Sequence, residues 1–224
     1  MLASIDHLIS AKNLAKIRQL LDDSPFVDGK LSAGMVARAV KNNQEMNPQS
    51  SHYQQLNELV MSNLVRHPKY KAVAWPKRVA APFYARYEPG MEYGEHVDDP
   101  VMGQRNDLYR TDISTTIFLS EPDEYEGGEL VIMDSYGQRQ IKLAAGCAVV
   151  YPSHSRHYVA PVTSGIRLVA VTWAQSTVRD PAKREMLYEL NQAREMLFKE
   201  LPQSEATRKV SATFNNLVRR WVDI

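Results

Sequence analysis

The chain contains a single cysteine, Cys147, in 224 residues. No disulfide can therefore form within it, a pattern that suits a reducing cytoplasm. It also has no excess of charge: 27 basic residues stand against 26 acidic ones, a net of +1. Nucleic acids and anionic membrane surfaces are recognised by clustered cations, and this balance supplies no such footprint. Long apolar runs are missing as well; nothing approaches the roughly 18 consecutive residues of a membrane-spanning helix. The opening stretch, MLASIDHLISAKNLAKIRQLLDD, lacks a basic segment followed by an apolar run, so an amphipathic helix is expected there rather than a signal peptide. Low-complexity tracts and internal repeats are absent. With 44% hydrophobic residues, the chain can bury the core of one large domain, alone or with a small appendage.

Three regions differ in pattern. Residues 1–76 read as a helical segment packed on the rest. Ser10 can cap a helix whose Leu14, Ile17 and Leu21 recur at helical spacing. A second stripe, Leu56, Leu59, Val60 and Leu64, should end near His67-Pro68. Between them VDGKLSAG reads as turn and KNNQEMNPQS as loop. Residues 77–176 change to short β-type runs: RVAAPFYARY, DISTTIFLS, GGELVIMD, GQRQIKL, CAVVYP, HYVAPV and IRLVAVTWA. Such runs without intervening helices predict an antiparallel sandwich or barrel. Residues 177–224 form a helical extension. Asp180 as N-cap with Pro181 behind it starts one helix, with Met186, Leu190, Ala193 and Leu197 as its apolar stripe. Pro202 interrupts it, and Val210, Phe214, Leu217 and Trp221 line a second. These stripes can cover the sheet or meet a second copy of the chain, so a homodimer is a possible assembly.

Chemistry concentrates in YEPGMEYGEHVDDPVMG. His96 and Asp98 stand two apart, and on an extended segment both point to the same face, so they can bite one metal ion together. A third ligand must come from elsewhere. His7, His52 and His67 fall in the helical region. In YPSHSRHYVAPV, His157 opens a strand whereas His154 lies in a polar turn. A ligand needs a rigid support, which favours His157 and leaves His154 as the alternative.

Arg167 begins the strand RLVAVTW, where alternation puts Arg167, Val169, Val171 and Trp173 on one face. If that face is the core, a guanidinium is buried, and it needs an anion of matched geometry. That anion is either a neighbouring acid, Asp112 or Glu129, or a carboxylate ligand. His157 and Arg167 are separated by YVAPVTSGI. Their strands either pair directly or confront one another across a gap of about 10 Å between sheets. Either arrangement lets a dicarboxylate touch a metal at one end and the guanidinium at the other, a description that fits 2-oxoglutarate.

Two histidines and a carboxylate with open positions form the facial triad of non-haem iron oxygenases. The pattern of His96, Asp98, His157 and Arg167, with Trp173 closing the strand, resembles the 2-oxoglutarate/Fe(II) dioxygenases of the prolyl-hydroxylase type. The stretches VDGKLSAG, VKNN, ARYEPGMEYGEHVD, ISTTIFLSEPDEYEGGELV, YPSHSRHYVAPVTSGIRLVAVTW and VRDPAKREMLYEL resemble bacterial PKHD-type hydroxylases. The resemblance implies a mainly β fold: a double-stranded β-helix (jelly-roll) core with helices outside. It implies iron on His96, Asp98 and His157, the co-substrate's distal carboxylate on Arg167, and Tyr93 near the co-substrate. It also implies ascorbate as a reductant, O₂ as oxidant, and a proline residue, free proline or an iron-uptake-related small molecule as the hydroxylated partner. A hydroxyl donor to the carboxylate would be Thr115 or Thr116, since STTIFL carries no tyrosine. Residues 99–112, directly after the ligands, are long enough to act as a lid. Two other classes remain in view: a zinc hydrolase, which gives Arg167 no role, and a binding or sensor module that holds iron or 2-oxoglutarate without turnover.

Overall fold

The strand Arg167–Ser176 shows how this sequence builds its fold. Val169 and Val171 face one apolar cluster, while Leu168, Ala170 and Ala174 face another. A strand covered on both sides has no polar face to present, which is why the run is apolar almost throughout.

In a computed structural model of the chain, which describes residues 1–134 and 137–224, the N-terminal third alternates strands and helices. Strands β1 (Ala3–Ile5), β2 (Phe26–Asp28), β3 (Lys41–Asn42) and β4 (Gln44–Met46) interleave with helices α1 (Ala11–Asp22), α2 (Met35–Val40), α3 (Tyr53–Leu64) and α4 (Pro68–Ala74). The middle of the chain opens with β5 (Pro76–Val79), β6 (Phe83–Tyr87), β7 (Glu92–His96), β8 (Val101–Met102), β9 (Tyr109–Arg110) and β10 (Ile113–Phe118). It continues through β11 (Tyr125–Gly127), β12 (Leu130–Asp134), β13 (Gly137–Ile141) and β14 (Ala148–Pro152). It ends with β15 (His157–Val159), β16 (Val162–Gly165) and β17 (Arg167–Ser176), and helices α5 (Pro181–Glu200) and α6 (Glu205–Trp221) follow.

Eight strands form the larger sheet in the order β1-β14-β10-β17-β6-β4-β2, with β5 also paired to β17. Five strands, β13-β12-β15-β7-β3, form the smaller one. Phe118, Val149, Tyr151 and Val169 of the larger sheet pack against Leu130, Ile132, Ile141 and Val159 of the smaller. Two antiparallel sheets closed over a shared core bear out the sandwich that the strand pattern predicts, in the double-stranded β-helix form that the resemblance implies. A second core lies on the far face of the larger sheet. There Ile17, Leu21, Leu56, Val60 and Leu64 from α1 and α3 meet Ile113, Ile117, Val150 and Ala170. The expected caps are present: Ser10 Oγ accepts from the Asn13 amide, and Asp180 accepts from Ala182 and Lys183.

Three expectations need correction. The first 76 residues are not only helical, and KNNQEMNPQS is not simply loop. Lys41–Asn42 edges the smaller sheet on β7, and Gln44–Met46 joins the larger sheet on β6. Strands of two or three residues are too short to show a period. The helix α3 already ends at Leu64, and Pro68, rather than stopping it, starts α4, since proline suits a first helical turn. In α5, Met186 and Ala193 face solvent, whereas Arg184 and Leu187 are buried and Leu190 packs beside them. Arg184 is buried because its guanidinium donates to the Val178 and Arg179 carbonyls, a polar contact that an apolar pattern does not register. In α6, Phe214, Leu217 and Trp221 do form the inward stripe, packing with Leu187 and Trp75.

Candidate metal centre and its neighbouring buried cation

β7 and β15 are neighbours, with His96 directly opposite His157. The next paired residues are Tyr93 and Val159, so three steps on β7 match two on β15. That extra residue is a β-bulge, and it turns Tyr93 and His96 to the same side. Their rings stack with centroids 3.7 Å apart and planes 15° from parallel. Asp98 follows the end of β7 and bends its carboxylate back beneath both imidazoles. Its Oδ1 lies 3.8 Å from His96 Nε2 and 3.7 Å from His157 Nε2.

Protonation follows from the partners. His96 Nδ1 lies 2.8 Å from the Gly94 carbonyl and His157 Nδ1 lies 3.0 Å from the Ser155 carbonyl. A carbonyl only accepts, so both Nδ1 atoms carry the proton and both Nε2 lone pairs point at the shared space. Burial, and next the adjacent His157, lower the His96 pKa to about 4. The imidazole is neutral near pH 7, the form a metal requires. Asp98 is anchored in turn. Ser114 on β10 donates to its Oδ2 at 2.5 Å. Ser114 Oγ also lies 2.7 Å from Ser153 Oγ; with its one proton committed to the carboxylate, it accepts from Ser153. The three side chains offer ligand atoms within 4.8 Å of one another, and they form the one such group among the described residues. The donor set fits a divalent iron ion: two neutral nitrogens and one carboxylate, each oriented by a backbone or hydroxyl partner.

Arg167 lies on the opposing sheet, so the chain crosses between sheets after His157. It is 1% exposed, with its guanidinium 4.9 Å from the Tyr87 ring centre and 5.8 Å from that of Phe118. Its Nε and Nη1 are buried without hydrogen-bond partners. Asp112 is occupied elsewhere, taking Arg110 in a two-pronged ion pair at 2.6 and 2.8 Å. Glu129 makes no ion pair with Arg167, and neither does any other carboxylate among the described residues. A buried guanidinium with orphaned donors is incomplete without an anion. The Tyr125 hydroxyl is also buried and unpartnered; burial raises its pKa and the Arg167 charge opposes that rise. Gly128 makes room for this cluster. Its φ is +65°, and a Cβ there would lie 3.0 Å from Arg167 Cδ.

The sequence leaves two hydroxyls open on β10, and the fold separates them. Thr115 belongs with Tyr70 in the helix-side core. Thr116 faces Tyr151 in the core between the sheets. His154 is exposed and apart from the triad; partial burial, and next the charges of Arg184 and the N-terminal amine, lower its pKa.

The 2OG-Fe(II) oxygenase superfamily pattern matches residues 82–175, and the PKHD-type hydroxylase C-terminal domain matches residues 181–223. A PKHD-type hydroxylase of Thioalkalivibrio sulfidiphilus is 53% identical over 224 residues, covering all of both chains. The chain belongs to the PKHD-type hydroxylases. Among solved structures, a Pseudomonas putida prolyl-4-hydroxylase superposes with a TM-score of 0.54 at 20% identity, over 78% of this chain and 92% of that one. A Trichoplax adhaerens prolyl hydroxylase, in complex with a hypoxia inducible factor oxygen degradation domain peptide fragment, gives 0.57 at 14% identity over 83% and 86%. Both share the fold.

This PKHD-type hydroxylase is an Fe(II)- and 2-oxoglutarate-dependent dioxygenase. Its site contains residues that sequence reading does not single out. Ser114 reaches Asp98 from β10 and is itself held by Ser153 in the turn after β14, and Tyr87 reaches Arg167 because the two pair across β6 and β17. The segment after the ligands is a short antiparallel ribbon, β8 on β9. Thr111 ties its base to the Asp99 carbonyl, and Arg78 holds its tip through Asp107 at 2.5 Å. No helix among the described residues is long and apolar enough to cross a membrane.

Proposed function

We propose that His96, Asp98 and His157 hold the Fe(II) and that Arg167 grips the distal carboxylate of 2-oxoglutarate. The observation that carries this reading is the pairing of two incomplete features on facing sheets. One is a converging set of unprotonated ligands; the other is a buried guanidinium with two orphaned N–H groups. A zinc hydrolase would explain the first and leave the second without purpose.

Bound iron with 2-oxoglutarate and O₂ supplies the oxidising power, turning a substrate C–H into C–OH while the keto-acid becomes succinate and CO₂. The protein residues hold and orient. Two neutral imidazoles and one carboxylate leave a ferrous centre with net positive charge, which favours an anionic co-substrate. Arg167 fixes the direction in which that co-substrate lies, and its burial strengthens the contact. The Tyr125 hydroxyl is available as a further donor to the same carboxylate. Thr116 lines the interior between the two ends. Tyr93 holds the His96 ring flat and borders the co-substrate.

The substrate in this reading is a peptidyl or free proline, or an iron-uptake-related small molecule. A reducing cytoplasm suits both the ferrous ion and the single free thiol, and ascorbate serves as reductant. The test is succinate release from 2-oxoglutarate by the iron-loaded protein, screened against proline peptides, free amino acids and siderophores. His157→Ala should abolish release. Iron-dependent 2-oxoglutarate binding without turnover across the whole screen would favour a sensor instead.

A further inference from the structure

On the far side of the larger sheet from the triad, α3, α4 and β5 face α5 and α6 across a cleft of about 740 Å³. Met61, Trp75, Val79 and Phe214 provide apolar lining. The charged lining is lopsided. The side-chain cations of Lys71, Lys77 and Arg194 enter no ion pair or hydrogen bond among the described residues. Arg78 is already matched by Asp107. Glu195 is the one carboxylate in the lining, and it accepts from Asn191 at 2.8 Å. Arg194 holds its guanidinium 4.0 Å from the centre of the Phe214 ring, over the apolar lining. Trp75 adds an indole Nε1 that is buried without a hydrogen-bond partner. In a chain with net charge +1, three unmatched cations around one apolar hollow are a local feature rather than a general surface property.

We propose that this cleft is a binding site for a small amphipathic organic anion. The apolar body would lie on Trp75 and Phe214, and the anionic end would meet Arg194 with Lys71 and Lys77. An apolar surface removes the ligand's hydrocarbon from water, and cations at its rim select against neutral and positive molecules of the same shape. The site stands apart from the iron centre and does not depend on the assignment of the triad. It also gives the C-terminal helices a role beyond packing, since Asn191, Arg194, Glu195 and Phe214 all come from them.

The test uses the full chain with 8-anilinonaphthalene-1-sulfonate as reporter, displaced by octanoate, octan-1-ol or octylammonium. The site predicts that octanoate displaces the dye at far lower concentration than the other two. Arg194→Gln should weaken octanoate by about tenfold, the loss of one charge-assisted contact. Lys71→Glu combined with Lys77→Glu should reverse the preference toward octylammonium; both lysines are exposed, so this variant remains informative if Arg194→Gln does not fold. Equal displacement by all three molecules, or octanoate affinity unchanged in the lysine variant, would overturn the proposal. A dimer detected by light scattering, dissociated by the lysine variant and showing no octanoate binding, would assign the cleft to a second copy of the chain instead.

Discussion

Ser114 and Asp98 join the two sheets at the metal centre. The serine hydroxyl on the larger sheet donates to Asp98 Oδ2 at 2.5 Å, leaving Oδ1 turned toward both histidines. One carboxylate oxygen is thereby spent on orientation and the other is kept for the ion. Ser114→Ala should weaken Fe(II) or Mn(II) binding by roughly tenfold to a hundredfold, the usual cost of losing a partner that orients a ligand. Calorimetric metal titration reads this directly. Unchanged affinity would mean that the hydrogen bond does not set the carboxylate's position.

Tyr93 gives a split outcome. Its ring stacks on His96 at 3.7 Å, while its hydroxyl is the group that would serve a co-substrate. Tyr93→Phe should keep metal affinity and raise the 2-oxoglutarate concentration needed for half-saturation. Tyr93→Ala should weaken both. If the phenylalanine variant matches the parent in both titrations, the hydroxyl has no part in binding.

Gly128 tests the space around Arg167. Its left-handed φ of +65° disfavours any side chain, and an added methyl would press on Arg167 Cδ. Gly128→Ala should destabilise the protein by about 1–2 kcal/mol and weaken 2-oxoglutarate binding, with metal affinity preserved. Urea denaturation and the two titrations separate these effects.

The metal-free protein should lose stability in mild acid. His96 titrates at 6.5 when unfolded and at about 4 in the fold, because burial opposes its charge. Between those values the unfolded chain holds more protons, so stability falls as pH drops from 6.5 and levels off near 4. The contribution is up to about 3 kcal/mol. Urea midpoints at pH 7 and pH 5 in the presence of a chelator should differ, and His96→Gln should shrink the difference.

Much of this site is legible in the sequence because its parts obey local rules. His96 and Asp98 share a face through their spacing, and the alternation of RLVAVTW places Arg167 with Val169 in the interior. The preference for His157 over His154 rests on strand against turn, and the fold separates the two in that way. What stays hidden depends on contacts distant in the chain. Ser114 meets Asp98 only because β10 runs beneath the end of β7, and no motif announces that crossing. Tyr125 nears Arg167 through the ribbon β11–β16, whose register shifts at Gly127. Lys41–Asn42 edges the smaller sheet and Gln44–Met46 lies between β6 and β2 in the larger one, both as strands too short for any periodicity. The buried side of α5 departs from the apolar stripe because Arg184 turns inward to the Val178 and Arg179 carbonyls.

The most direct measurement of the central claim is 2-oxoglutarate affinity of the metal-loaded protein before and after Arg167→Ala, with metal affinity recorded alongside. Loss of a buried charge-assisted contact predicts an affinity about a hundredfold lower, while the triad still binds its ion as before. Equal 2-oxoglutarate affinity in the two proteins would contradict the account, since the buried guanidinium would then be waiting for something else.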